Sequence, residues 1–125
     1  MMKTAQDYLD EANAVVTRID SKDAIAKHAE GAGVFIDVRD SSDIANSGTI
    51  KGAERVARGF IEFAADPTSK FHKPFFDKDK TYYLVCGLGG QAALAGKTLK
   101  DMGYPNVINV GGIGDWKQAG GPVED

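Results

Sequence analysis

The stretch Tyr82-Tyr83-Leu84-Val85-Cys86-Gly87-Leu88-Gly89-Gly90-Gln91 decides the fold. Its first five residues form the longest uninterrupted apolar run in the chain. The run is aromatic and branched, does not alternate, and stops at a glycine, which is the pattern of a strand buried on both faces. Three glycines then curl the backbone. Ala92, Ala95, Leu99 and Met102 recur at helical spacing, which predicts a helix from about Gln91 to Met102, closed by Gly103 with Pro105 beyond it. A strand feeding a helix through a tight turn belongs to a parallel sheet, and in such sheets ligands sit outside the carboxyl ends of the strands. Cys86 stands at such an end.

The flanking segments follow the same grammar. Val34-Phe35-Ile36-Asp37-Val38 reads as a second buried strand and Val107-Ile108-Asn109-Val110 as the last one. Ala53 to Ala57 reads as a short strand ending at Arg58-Gly59. Ahead of them, Thr4 and Asp7 cap an amphipathic helix that presents Ala5, Tyr8, Leu9, Ala12, Val15, Val16 and Ile19 on one face. A short helix runs from Ser21 to Gly31, another from Ser41 to near Gly48, a turn of helix covers Phe60 to Ala65, and a last one surrounds Trp116. Residues 66–80 read as a polar surface loop anchored by Phe71, Phe75 and Phe76. The expectation is an α/β protein with a central, mostly parallel five-stranded sheet flanked by helices on both sides. Residues 1–20 form an N-terminal helix and residues 21–125 the rest of one structural domain.

Composition bounds the function. The chain has 125 residues, 42% hydrophobic and 26% charged, with a formal net charge of -3. That suits one domain with its own core and gives no electrostatic footprint for nucleic acid or anionic membrane. The N-terminus carries acid where an export signal carries an apolar run. Cys86 is the only cysteine, so no internal disulfide forms, and His28 and His72 follow no metal-ligand spacing. Neither metal nor cofactor is expected. A lone thiol fits a reducing compartment, hence the cytoplasm.

Of the 15 glycines, ten follow Cys86. In Cys86-Gly87-Leu88-Gly89-Gly90-Gln91 they allow successive N–H groups to turn inward, and the helix N-terminus adds positive potential at the same place. Such a loop stabilises negatively charged sulfur, either a thiolate or a persulfide. Two other readings stand beside it. A cysteine ending an apolar strand is often only a small buried hydrophobe. A glycine turn can also cradle a phosphate, although neither a P-loop nor a dinucleotide fingerprint is present. The nucleophile reading expects an exposed sulfur ringed by amides.

Five segments together resemble the single-domain rhodaneses, the sulfurtransferase fold shared with Cdc25-type phosphatases. They are Ile36-Asp37-Val38-Arg39, Ser47-Gly48-Thr49-Ile50-Lys51-Gly52-Ala53, Tyr83 to Gln91, Gly111-Gly112-Ile113-Gly114-Asp115-Trp116 and Gly120-Gly121-Pro122-Val123. The resemblance runs from Ser21 onward. It implies a rhodanese-like fold, a sulfur-carrying nucleophile at Cys86 and a substrate cradle at Gly87, Leu88, Gly89, Gly90 and Gln91. The implied partners are a small sulfur donor, thiosulfate or a low-molecular-weight persulfide, and a thiol, cyanide or protein acceptor.

The departures matter. Gln91-Ala92 stand where the family commonly has Arg-Ser, so no loop arginine clamps an anionic donor. A C-x5-R phosphatase loop would need its arginine at position 92. Arg58 is a candidate for the missing charge if it faces the same crevice. Thr49 and Lys51 replace a histidine and a proline and read as surface changes, while Asp37 and Arg39 could be taken as an acid/base pair but by the resemblance are structural ties near the site. Two functions lead: a sulfurtransferase, or a catalytically impaired rhodanese-like binding module that has lost donor recognition at Gln91; a third, an arsenate- or phosphate-handling cysteine enzyme, is disfavoured by the arginine-free loop.

Overall fold

In the computed structural model, which describes residues 2–125, the chain forms seven strands and six α-helices. Helix α1 (Ala5–Val15) leads into β1 (Thr17–Arg18), then α2 (Ser21–Ala29), β2 (Val34–Asp37), α3 (Ser41–Ser47), β3 (Thr49–Ile50) and β4 (Glu54–Arg55). A 3-10 turn (Arg58–Phe60) runs into α4 (Ile61–Ala65). The remaining elements are β5 (Tyr82–Cys86), α5 (Gly90–Asp101), β6 (Val107–Gly112), α6 (Ile113–Gln118) and β7 (Val123–Glu124).

Five strands make one sheet in the order β1-β6-β5-β2-β4, and every pairing in it is parallel. Strand β5 therefore lies at the centre, and all five of its residues are buried. Successive side chains of a strand point to opposite faces. Tyr82, Leu84 and Cys86 join Ile36, Ala92, Ala95, Leu99, and Ile61, Ala64 and Ala65 of α4 on one side. Tyr83 and Val85 join Phe35, Ala24, Val110, Ile113 and Trp116 on the other. Two cores, one on each face, are the reason the apolar run reads without alternation.

Three elements depart from the sequence expectation. The N-terminal segment contributes more than a helix, because Thr17 and Arg18 pair with Ile108 and Asn109 and extend the sheet by a strand. On α1 itself only Ala12 is buried, while Tyr8 stays half exposed at 50%. The short strand between residues 53 and 57 contracts to Glu54–Arg55 at the sheet edge. Strands β3 and β7 form a separate antiparallel pair that joins the end of the chain to its middle.

The capping expectation for α1 is met by a reciprocal box. Thr4 Oγ1 accepts the Asp7 N–H, and the Asp7 carboxylate accepts the Thr4 N–H. In the loop between α4 and β5, Phe76 is buried against Tyr82 and Tyr104. Phe71 is half exposed and meets Phe60 and Phe63 at the surface rather than anchoring the chain. No helix among the described residues is long and apolar enough to cross a membrane.

Candidate active site

Cys86 closes β5, and its sulfur turns under the loop that follows. Sγ accepts the Gly89 N–H at 3.0 Å and the Ala92 N–H at 3.3 Å. These amides belong to the start of α5, whose N-cap residue, Gly89, offers no capping side chain. The thiol sulfur takes the place that a serine or aspartate oxygen holds in an ordinary cap. Gly89 reaches this geometry with φ +109°, a left-handed conformation that a side chain rarely adopts. A negative charge on this sulfur would lie at the positive end of α5.

Cys86 is 1% exposed, not open to solvent as the sequence suggested. It packs with the core on the α5 face while accepting the two amides. The expected ring of loop amides thus narrows to Gly89 together with Ala92, a residue outside the stretch singled out from the sequence. The loop itself faces outward, with the Leu88 side chain 89% exposed. Gly87 and the exposed Gln91 border a cavity of about 360 Å³ that also touches Arg39, Asp43, Asn46 and Ser47 of the α3 region. Gly90 begins α5.

Arg58 is engaged elsewhere. Its guanidinium donates to Glu62 Oε1 at 3.1 Å and to Thr98 Oγ1 at 3.0 Å. It borders a separate cleft of about 670 Å³ between α1 and α5, with Lys3, Tyr8, Leu94 and Lys97. Glu62 and Thr98 supply the partners that hold it there, so it does not join the groups bonded to Cys86.

Two residues missed in the sequence reading shape the loop. Asn109, buried in β6, donates its side-chain amide to the Gly89 carbonyl oxygen at 2.9 Å. Arg18, at the end of β1, donates to the Leu88 carbonyl oxygen at 3.4 Å. The one signal for Asn109 was a polar residue inside an otherwise apolar strand.

Asp37 and Arg39 form the expected structural tie. Arg39 Nη2 lies 2.8 Å from Asp37 Oδ2 and 2.8 Å from the Gly48 carbonyl oxygen, and Nη1 reaches Ser47 Oγ at 2.7 Å. Thr49 is not a surface change. It is 0% exposed and donates its hydroxyl to Asp37 Oδ2 at 2.7 Å. Among the described residues no cluster of His, Cys, Asp and Glu could hold a metal ion.

A parallel α/β sheet with one cysteine at the carboxyl end of its central strand, capping the next helix, defines a cysteine-loop α/β domain. The chain belongs to the rhodanese-like domain family, which it matches over residues 20–119. Among solved structures it is similar to a protein of unknown function from Rhodopseudomonas palustris CGA009, described as a possible tyrosine phosphatase. The two share 41% identity and a TM-score of 0.94, over 99% of this chain and 96% of that one. It is similar also to the polysulfide-sulfur transferase homodimer of Wolinella succinogenes, at 28% identity and a TM-score of 0.72, over 94% of this chain and 84% of that one. The rhodanese-like domain of an Anabaena protein aligns at 26% identity and a TM-score of 0.70, over 86% of this chain and 77% of that one. No curated protein gives a significant match.

Proposed function

We propose that the protein is a sulfurtransferase that carries sulfane sulfur on Cys86. The observation that carries this reading is the sulfur of Cys86 accepting two main-chain amides at the start of α5. The Cys86 thiolate attacks the outer sulfur of a donor such as thiosulfate or a low-molecular-weight persulfide. A Cys86–sulfur bond forms, the donor's own sulfur–sulfur bond breaks, and sulfite or a thiolate leaves with the electron pair. The Gly89 and Ala92 amides hold the negative sulfur during the exchange. An acceptor thiolate or cyanide then takes the outer sulfur, and Cys86 departs as thiolate. With no second cysteine in the chain, the acceptor comes from outside. The polysulfide-sulfur transferase from Wolinella succinogenes is a relative whose name matches this chemistry.

The phosphatase description of the Rhodopseudomonas palustris protein suits this chain less well. Phosphoryl oxygens need a cation in the loop, and residues 87–92 (Gly87-Leu88-Gly89-Gly90-Gln91-Ala92) contain none. A non-catalytic binding module is favoured by one observation, the near-complete burial of Cys86.

One measurement separates the readings. The purified protein is incubated with thiosulfate or glutathione persulfide and its intact mass recorded. Sulfur transfer predicts the gain of one sulfur atom on Cys86, removed by cyanide. No gain with either donor leaves the binding module.

A further inference from the structure

The cysteine loop lacks a cation of its own, yet one lies across it. Arg18 is exposed at the carboxyl edge of the sheet, and its guanidinium is seated between two turns. A Cβ on Gly89 would fall 2.5 Å from Arg18 Nη1, and one on Gly111 would fall 3.0 Å from Arg18 Nη2. Both glycines have positive φ, at +109° and +85°. The β5–α5 loop and the turn inside β6 therefore both leave out a side chain at one spot, and the guanidinium fills it.

Arg18 has donors to spare. Among the described residues its guanidinium donates one hydrogen bond, to the Leu88 carbonyl oxygen, and makes no ion pair. Lys3, Lys27, Arg39, Arg55, Arg58 and Lys97 each have a carboxylate partner. A guanidinium carries five N–H groups in a rigid fork suited to paired oxygens. The other N–H groups of this fork have no protein acceptor among the described residues, and they lie beside Gly89, whose amide holds the Cys86 sulfur.

We propose that Arg18 is the anion-recognising group of the cysteine site, binding the oxyanion end of a thiosulfate-class donor. It would fill from outside the loop the role that Gln91 leaves open. The assignment rests on the sulfur-transfer reading for its purpose but not for its test. Arg18 is a specificity-determining residue and takes no part in the bond changes.

Binding can be measured without chemistry in Cys86→Ser protein. Thiosulfate is titrated while the backbone amide resonances of Leu88, Gly89 and Gly111 are followed by NMR. Saturable shifts are expected, with affinity lowered about tenfold or more by adding Arg18→Gln and by less with Arg18→Lys, which keeps the charge but not the fork. Equal saturation with and without Arg18→Gln overturns the proposal. So does equal weakening by Gln and Lys, or the absence of saturable shifts in Cys86→Ser itself. Unchanged resonances of Tyr83 and Trp116 report that each variant is folded.

In protein that retains Cys86, Arg18→Gln should shift the ratio of thiosulfate loading to loading from an alkyl persulfide that carries no oxyanion against thiosulfate by about tenfold. An unchanged ratio overturns donor selection by Arg18. If neither donor loads the protein, the sulfur-transfer reading fails, and the titration alone decides the anion site.

Discussion

The side-chain amide of Asn109 donates to the Gly89 carbonyl oxygen at 2.9 Å, while its oxygen accepts the Gly111 N–H at 2.8 Å. One side chain, 1% exposed, thereby fastens the cysteine loop to the turn inside β6. The bond at the Gly89 carbonyl fixes the residue whose own amide points at Sγ. Asn109→Leu keeps the volume, strands the buried Gly111 N–H at about 1–3 kcal/mol and leaves the Gly89 carbonyl oxygen with the Ala93 N–H as its remaining partner. Urea unfolding should show that loss, and sulfur loading of Cys86 should slow with it. Unchanged stability and loading would remove Asn109 from the account of the loop.

Cys86 caps α5, which separates its structural role from its chemical one. Serine keeps an acceptor for the Gly89 and Ala92 amides, so Cys86→Ser should melt close to the parent protein while taking up no sulfur. Valine fills the space without accepting, and Cys86→Val should lose about 1–3 kcal/mol for each stranded amide. Thermal melts and intact masses of the two variants test both halves. Sulfur uptake by the serine variant would end the nucleophile assignment.

The parts of the site that were legible in the sequence are those contiguous along the chain. Strand β5, the glycine turn and α5 follow one another, and local periodicity with turn chemistry reports all three. Strand β1 has two residues, both exposed, and its strand character comes only from pairing with Ile108 and Asn109. No local pattern carries that information. The same holds for β3 and β7, paired across most of the chain. Arg18 and Asn109 reach the loop from distant positions as single polar residues. The glycines marked the loop, but not which amides meet the sulfur, because that depends on where α5 begins. Thr49 looked superficial because its partner, Asp37, lies on another strand.

The Asp37–Arg39 pair is buried, with Asp37 0% and Arg39 6% exposed. Arg39 also bonds Ser47 and Gly48, so it clamps the end of β2 to the segment linking α3 to β3. Arg39→Met strands a buried carboxylate and should cost about 3–5 kcal/mol. Replacing both residues, Asp37→Leu with Arg39→Met, removes the stranded charge and should cost less than the two single changes summed. Urea unfolding of the four proteins reads the coupling, and additive losses would contradict it.

Burial pushes the phenols of Tyr82 and Tyr104 above the ordinary tyrosine range. The Tyr104 hydroxyl donates to the Ala65 carbonyl oxygen, and the Tyr82 hydroxyl lies among the Phe75 and Asp77 main-chain groups. The folded chain holds these protons more tightly than the unfolded chain. Their contribution is therefore complete below the unfolded value of about 10 and is lost as pH rises through the raised folded values. Unfolding free energy should fall with increasing slope above about pH 10. The double variant Tyr82→Phe/Tyr104→Phe should be less stable at neutral pH but show a shallower alkaline slope. An identical slope would place the alkaline sensitivity elsewhere.

Gln91 offers a gain-of-function comparison with Arg18. It is exposed on the α3 side of the loop, bordering the cavity shared with Arg39, Asp43, Asn46 and Ser47. An arginine there would bring a fork of donors to the loop, although Asp43 would compete for it. Gln91→Arg should raise kcat/KM for thiosulfate while changing that for an alkyl persulfide without an oxyanion little. Combined with Arg18→Gln, it should restore part of the thiosulfate selectivity that Arg18→Gln removes. If Gln91→Arg changes neither donor, the anion does not reach position 91, and its charge is met from the β1 side of the loop alone.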